Sequence, residues 1–333
     1  MKGSQRVAIA GAGAFGTALA LVAGRAGRDV ALWGRDAARM REIATTRANE
    51  VHLSGVAIPD SIRLTADLTS FRDADIILLA APAQATRSVL AAIAPHAPDA
   101  APVIACAKGI EQASGKFQTA IIAELLPRSR PAALSGPGFA EEIARGLPTA
   151  VTIAASEIAF AEDLCAALAG DFFRPYASDD PTGVEFGGAI KNVLAIAAGI
   201  VAGRNLGEGA RAALVARGLA EMMRVGAALG ARQETFMGLS GLGDLVLTAT
   251  SGHSRNLAFG IALARNRPAA ELLAADAPLV EGAHTARIAA TLAQDHGIDA
   301  PIIGAVAAIV DGSIGVEAAI AGLVNRPLKR ETE

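Results

Sequence analysis

Cysteine is almost missing from this chain. The 333 residues hold two, Cys106 and Cys165, far apart and without C-x-x-C spacing. That excludes a disulfide framework and fits a reducing, cytoplasmic setting. Aromatic residues are scarce too, at 4%, so small side chains and close helix packing have to build the interior. No excess of charge exists, with 30 Lys+Arg against 33 Asp+Glu, which argues against a general nucleic-acid binder. The five histidines, at 52, 96, 253, 284 and 296, show no metal-ligand spacing and suggest no Ser-His-Asp arrangement. No metal is expected.

Apolar residues are plentiful at 52%, enough for substantial cores, and the length suggests two domains. The organising stretch is the first strand, Val7–Ala10, the loop Gly11–Gly16 and the helix start that follows. It fits the dinucleotide pattern G-x-G-x-x-G. Gly11 permits the tight turn, Gly13 lets the backbone approach a pyrophosphate, and Gly16 lets the helix pack on the strand. Free N–H groups at the helix N-terminus then face the phosphates. The same apolar run, Val7–Gly24 between Arg6 and Arg25, has the make-up of a signal peptide or short membrane span. Its four glycines make a continuous helix unfavourable. No other segment is expected to be long enough to span a bilayer.

Short β-rich runs alternate with helical ones through the first half. Strands are expected at 29–33, 75–80, 102–107, 131–134, 149–153 and 172–176, with Val51–Leu68 irregular. Asp36 is placed as the N-cap of a helix over 36–45. Beyond Ser178–Pro181 only helices are expected, at 186–201, 211–229, 255–265, 283–296, 301–310 and 315–323. The reading is an α/β fold: a Rossmann-type, mostly parallel sheet domain over 1–179, then an all-helical domain over 180–333.

Arg35 follows the second strand, where many dinucleotide sites carry an acidic residue for the adenosine ribose. A guanidinium suits a 2′-phosphate, so NADP(H) is favoured; Asp36 next to it leaves NAD(H) open, and a plain surface arginine is the alternative. Lys108 and the 135–139 turn follow buried strands, at the strand ends where open α/β sheets bind ligands. Lys191 is the one charge between Glu185 and Arg204. A lysine in an apolar, small-residue helix is costly to bury; desolvation lowers a lysine's pKa and makes it a usable acid or base. The alternative is a snorkelling surface side chain. Asn192 beside it is a candidate for orienting substrate or lysine. Asp244, Ser254, Arg255 and Glu281 stand out as polar islands.

Taken together, these stretches resemble one family, the bacterial NAD(P)-dependent glycerol-3-phosphate dehydrogenases. The matches are GAGAFGTALA at 11–20, LWGR at 32–35, AKG at 107–109, SGP at 135–137 with Phe139-Ala140, and GLPT at 146–149. They continue with GGAIKN at 187–192, RGLAE at 217–221, GLGDL at 241–245, SRN at 254–256 and VEG at 280–282. The glycine loop is widely shared among dehydrogenases; the lysine helix combined with GLGDL and SRN is far more specific.

The resemblance implies substrate held between a nucleotide domain and a helical one. It implies that Ala14, Phe15, Arg35 and Lys108 line the cofactor, with Ala140, Arg255, Leu279 and Glu281 closing over it. Lys108, Gly136, Gly138, Asp244, Ser254, Arg255 and Asn256 would contact glycerol phosphate, and Lys191 would accept the proton. Family members usually carry Ser or Thr where this chain has Gly138, so a contact there has to come from the backbone. The implied activity is reversible hydride transfer between sn-glycerol 3-phosphate and NAD(P), run toward dihydroxyacetone phosphate reduction for phospholipid synthesis. Neither nucleic acid nor a membrane is an expected partner, and a homodimer is left open. The rivals are a related dehydrogenase acting on a hydroxy acid and a catalytically idle NAD(P)-binding sensor.

Overall fold

The computed structural model describes residues 5–274, 277–328 and 330. The opening apolar run is split as its glycines require, into β1 (Arg6–Ala10) and α1 (Ala14–Arg25). Next come β2 (Asp29–Trp33), α2 (Ala37–Thr46), β3 (Ala48–Asn49), β4 (Leu53–Ala57), β5 (Ile62–Thr65) and β6 (Ile76–Leu79). They are followed by α3 (Thr86–Ile93), β7 (Pro102–Ala105), α4 (Gln118–Leu125), β8 (Arg130–Ser135) and α5 (Ala140–Ala144). Then come β9 (Thr149–Ala154), α6 (Ile158–Leu168) and β10 (Phe173–Ser178).

Eight strands form one sheet in the order β10-β9-β8-β7-β6-β1-β2-β5. All neighbours are parallel except β8 and β9. The expected mostly parallel sheet is what forms. Strands β1, β6 and β7 are almost wholly buried and carry near-continuous aliphatic runs, the mark of a sheet covered on both faces. The chain runs outward from β1 to β2 on one side and returns to β6 on the other. The order therefore reverses at the end of β1, where such sheets bind ligands.

The stretch expected to be irregular, 51–68, holds two strands. β4 pairs antiparallel with β3 in a separate two-stranded sheet, and β5 lies parallel to β2 at the sheet edge. Their polar residues face solvent because edge and hairpin strands are half exposed. Only Leu53, Val56 and Ile62 are buried, too few to announce a strand by composition. Asp36 caps α2 as expected, its Oδ1 accepting from the Ala38 and Arg39 N–H groups at 2.9 and 3.1 Å.

Beyond Ser178 the described residues form helices only. The long ones are α7 (Pro181–Gly203) and α8 (Glu208–Ala228). Then come α9 (Gln233–Phe236), α10 (Asp244–Thr250), α11 (Arg255–Ala264), α12 (Ala269–Leu272), α13 (Glu281–Asp295), α14 (Pro301–Val310) and α15 (Val316–Val324). Helix α7 starts five residues earlier than its apolar pattern suggests. Asp180 accepts from the Gly183 N–H at 2.9 Å, and Pro181 occupies the first turn, where its missing N–H costs nothing. The extension corrects the expectation that no later segment matches a bilayer's thickness: α7 is long and apolar enough by length and composition. Yet 89% of its most apolar window is buried within the protein.

The chain divides into two compact units, one comprising residues up to Gly188 plus Gly230–Asp244, the other Ala189–Leu229 plus Leu245 onward. A division at 179/180 leaves two segments of the first unit on the far side. Asp180 holds them, because its second oxygen accepts from Arg232 N at 2.9 Å and Thr235 Oγ1 at 2.6 Å. Phe186 adds edge-on ring contacts to Phe117 and Phe236, at 6.4 and 6.1 Å between centroids.

In the second unit, glycine lets helices meet at backbone distance. A Cβ on Gly199 of α7 would lie 2.2 Å from the Leu257 carbonyl oxygen. One on Gly260 of α11 would lie 2.1 Å from that of Ile196. Glu221, in the RGLAE stretch, is buried and accepts from the Ile302 and Ile303 N–H groups at 2.9–3.0 Å, capping α14.

Burial pushes the carboxyls of Glu185 and Glu221 up to about 7, against the hydrogen bonds each accepts. A raised carboxyl pKa stabilises the fold below the unfolded value. That contribution is lost as pH rises from about 4.5 through about 7. Glu185→Gln keeps an acceptor for the Thr119 N–H and removes the proton. Its urea midpoint should rise relative to wild type between pH 5 and pH 8; parallel curves would show that Glu185 carries no raised pKa.

Candidate active site

The first unit supplies a nucleotide cradle. Gly11 has φ +125°, and a Cβ there would sit 2.7 Å from the Ala80 carbonyl oxygen. A Cβ on Gly16 would sit 1.8 Å from that of Gly11. Both glycines are required by close approach. Gly13 differs: nothing lies within 4 Å of where its Cβ would be, and as N-cap of α1 it offers no side-chain cap. No side chain caps the first N–H groups of α1, at the positive end of the helix, and the space beside Gly13 is open, a fit for a pyrophosphate. Ala14 and Phe15 sit half-buried beside it. The residues fit a dinucleotide.

Arg35 lies just past β2, exposed and without a hydrogen bond or ion pair among the described residues. The strand end beneath it is fixed: Trp33 Nε1 donates to the Ala66 carbonyl at 3.0 Å and its ring meets Phe71 edge-on. Lys108 follows β7, and its Nζ donates to the Gly136 carbonyl and to Asp244 Oδ2, both at 2.7 Å. Asp244 is buried. It is delivered by a single π-helical turn over Leu239–Gly243, closed by Gly243 N–H to the Gly238 carbonyl at 3.1 Å. Such turns are frequent at functional sites. A Cβ on Gly241 would fall 2.1 Å from the Phe236 carbonyl oxygen, so the GLGDL glycines form the turn that aims Asp244.

Gly136 follows β8 with φ +146°. A Cβ on Gly138 would lie 3.0 Å from Ile143 Cδ1 and 3.1 Å from Thr149 Cγ2. Part of the room a hydroxyl-bearing side chain would need is therefore filled. Ala140 is the first residue of α5 and half-buried.

The second unit places the lysine. Lys191 is buried on α7, and its Nζ lies 2.8 Å from Thr248 Oγ1 on α10. The reading of a buried lysine holds over that of a snorkelling one. Beside it, Asn192 Oδ1 accepts from Asn256 Nδ2 at 2.9 Å, and Asn256 Oδ1 accepts from the Gly282 N–H at 3.0 Å. Ser254 caps α11, accepting from the Leu257 N–H at 3.2 Å. Ser254 and Asn256 thus have structural tasks. Arg255, the first residue of α11, is exposed, and its side chain makes no hydrogen bond or ion pair among the described residues. Leu279 and Glu281 lie half-buried at the start of α13.

One neighbour of the lysine escaped the sequence reading. Thr248 lies in a stretch with no helical signal of its own and is identified by the group it meets in space. The described residues contain no cluster of His, Cys, Asp and Glu arranged to hold a metal.

Comparison with known proteins identifies a family. A family model described as the NAD-dependent glycerol-3-phosphate dehydrogenase N-terminus matches residues 6–161, and one for the C-terminus matches 180–321. The chain is 49% identical over 328 residues to a glycerol-3-phosphate dehydrogenase [NAD(P)+] of Parvibaculum lavamentivorans, covering 98% of both chains. It is 52% identical over 327 residues to one from a Bradyrhizobium species, again covering 98% of both. Among solved structures it resembles the glycerol-3-phosphate dehydrogenase of Coxiella burnetii, with TM-score 0.91 and 37% identity over 97% of this chain and 99% of that one.

The two loop glycines separate packing from binding. Gly16→Val should lose the folded state, because its side chain has no room. Gly13→Val should stay folded yet bind NADPH and NADH at least about tenfold more weakly, since the added bulk enters the phosphate space. Circular dichroism and cofactor fluorescence read the two effects; a Gly13→Val protein with undiminished affinity would remove the loop from the cofactor site.

Proposed function

The chain belongs to the NAD-dependent glycerol-3-phosphate dehydrogenase family, and from that premise we propose how its residues carry the reaction. It is an NAD(P)-dependent oxidoreductase acting on a small molecule. The direction we assign is reduction of dihydroxyacetone phosphate to sn-glycerol 3-phosphate, supplying phospholipid synthesis in the cytoplasm. Two free cysteines, Cys106 and Cys165, suit a reducing compartment. A homodimer is compatible with the reading, since every residue it assigns comes from one chain. Residues 1–179 supply the glycine loop for the nucleotide and 180–333 the proton-transferring lysine, while each also lends residues to the other's ligand: Lys108, Gly136 and Gly138 to the substrate, and Arg255, Leu279 and Glu281 to the cofactor.

The observation that carries this reading is Lys191, a buried ammonium in an apolar helix with its Nζ 2.8 Å from a hydroxyl. Bound nicotinamide supplies the hydride chemistry. Lys191 polarises the C2 carbonyl and gives its proton to the oxygen as negative charge develops; in the reverse direction, neutral Lys191 takes the C2 hydroxyl proton. Thr248 Oγ1 accepts one ammonium N–H and so sets the direction of the others. Lys108, itself aimed by Asp244 and the Gly136 carbonyl, directs a second cation at the substrate. The backbone of Gly136 and Gly138 contributes polar contacts without side chains.

Arg255 and the N-terminal N–H groups of α11 hold the substrate phosphate. Ser254 and Asn256 shape that terminus. Gly11, Gly13, Ala14, Phe15 and Gly16 hold the pyrophosphate, and Arg35 reads a 2′-phosphate. Lys108, Ala140, Arg255, Leu279 and Glu281 complete the cofactor's surroundings.

Consumption of NADPH on adding dihydroxyacetone phosphate tests the activity; binding without turnover would identify a sensor, and turnover with a 2-keto acid instead would identify a hydroxy-acid enzyme. Lys191→Met keeps the chain volume and removes the charge. Its kcat should fall at least about a hundredfold, the scale of acid–base catalysis, with NADPH affinity little changed. Near-normal turnover would make Lys191 structural. Arg35→Asp should weaken NADPH at least about tenfold more than NADH, because a like charge then faces the 2′-phosphate. Equal losses would show that Arg35 does not read that group.

A further inference from the structure

Asn49 is buried at 1% exposure on β3, in the small two-stranded sheet with β4 rather than in the main sheet. A buried amide has to spend all its hydrogen-bonding capacity inside the protein. Its Nδ2 donates to the Ala12 carbonyl at 3.0 Å and to Thr17 Oγ1 at 2.8 Å. Its Oδ1 accepts from the Arg39 guanidinium at 3.3 Å. Thr17 Oγ1 in turn donates to the Gly13 carbonyl at 2.9 Å, which also accepts from Thr17 N at 3.0 Å. One side chain thus holds the glycine loop at two consecutive carbonyls, directly at Ala12 and through Thr17 at Gly13.

The consequence follows from peptide geometry. In a trans peptide the carbonyl and the following N–H point in opposite directions. Holding the Ala12 carbonyl against Asn49 turns the Gly13 N–H away from it. Holding the Gly13 carbonyl against Thr17 turns the Ala14 N–H outward along the start of α1. Those two N–H groups border the open space where a Cβ on Gly13 would meet nothing within 4 Å. The first helical bond, from Thr17 N, already fixes the Gly13 carbonyl, and Gly11 N–H is held by the Trp33 carbonyl at 2.9 Å; the Ala12 carbonyl between them is fixed by the Asn49 amide. Arg39 sets which way the Asn49 amide faces, because only the oxygen end can accept its N–H.

We propose that Asn49 is the positioning residue of the dinucleotide loop: it clamps the Ala12 carbonyl and Thr17 hydroxyl, and so keeps the Gly13 and Ala14 N–H groups aimed at the cofactor pyrophosphate. The proposal rests on reading the loop as the NAD(P) site. The pyrophosphate is common to NADPH and NADH, so the clamp serves both equally, unlike Arg35.

Asn49→Asp is nearly isosteric and keeps the acceptor for Arg39, but it loses both donors and sets a carboxylate against the Ala12 carbonyl. The dissociation constants of NADPH and NADH, read by cofactor fluorescence, should rise together by about tenfold or more, the scale for hydrogen bonds lost at a buried group. The KM for dihydroxyacetone phosphate and the kcat at saturating cofactor should each move less than about twofold, because the clamp acts on cofactor binding alone. Asn49→Ala should show the same split.

Unchanged cofactor affinity in a folded variant overturns the proposal. So does a parallel loss of substrate KM and kcat, which would mean general loosening. If neither Asn49 variant folds, Thr17→Val, which removes the relay hydroxyl at constant shape, decides by the same two criteria. Gly13→Val separates this inference from the reading beneath it. If Gly13→Val retains full cofactor affinity, the loop is not the cofactor site. If it loses affinity while the Asn49 and Thr17 variants keep theirs, the loop stands and the clamp falls.

Discussion

The approach of α1 to the end of β1 is the contact on which the nucleotide unit depends. The Gly16 Cα faces the Gly11 carbonyl so closely that a Cβ would sit 1.8 Å from that oxygen. No side chain fits, and none can substitute for the missing one. Because the helix begins this close to the strand, its first N–H groups project beyond the sheet at the point where strand order reverses. Arg35 and Lys108 follow the C-terminal ends of the parallel strands β2 and β7 in that sheet.

Small residues play the matching part in the second unit. The near absence of aromatic side chains is not a deficit there, since Gly199 and Gly260 let α7 and α11 meet backbone to backbone. On α7, Lys191 is buried, with its Nζ 2.8 Å from Thr248 Oγ1. The cost of burying the lysine's polar end is offset in part by the hydroxyl it meets. Gly282 belongs to the same pattern. A Cβ there would lie 2.5 Å from the Asn192 carbonyl oxygen, so the VEG stretch brings α13 against α7 just beside the lysine.

Buried polar groups in this protein divide into those held for chemistry and those held for architecture. Asp244, paired with the half-buried Lys108, and Lys191 are the ones assigned to the first kind. Asp180, Glu185 and Glu221 are the second, each accepting backbone N–H groups at or near a helix start. Sequence motifs do not separate the two kinds. RGLAE looks as distinctive as GLGDL, yet its glutamate caps α14, whereas the aspartate of GLGDL pairs with Lys108.

Much of the design was legible in the linear chain. Buried parallel strands announce themselves as aliphatic runs, and a strand–glycine loop–helix unit has few other uses. A lone lysine in an apolar helix is conspicuous because burying a charge is expensive. The half-exposed strands β3, β4 and β5 were not legible, because only a few of their side chains face the core. Nor was the start of α7, which depends on a cap at Asp180 rather than on apolar period. The sequence by itself determined the buried parallel strands, the glycine turn and the placing of a lone lysine in an apolar helix, since each follows from local spacing and burial cost. Only the tertiary structure decided that 230–244 packs with the first unit, that Thr248 meets Lys191, and that Asn49 holds the glycine loop. Those contacts join residues 32 to 57 positions apart, and no local propensity encodes a partner at that distance.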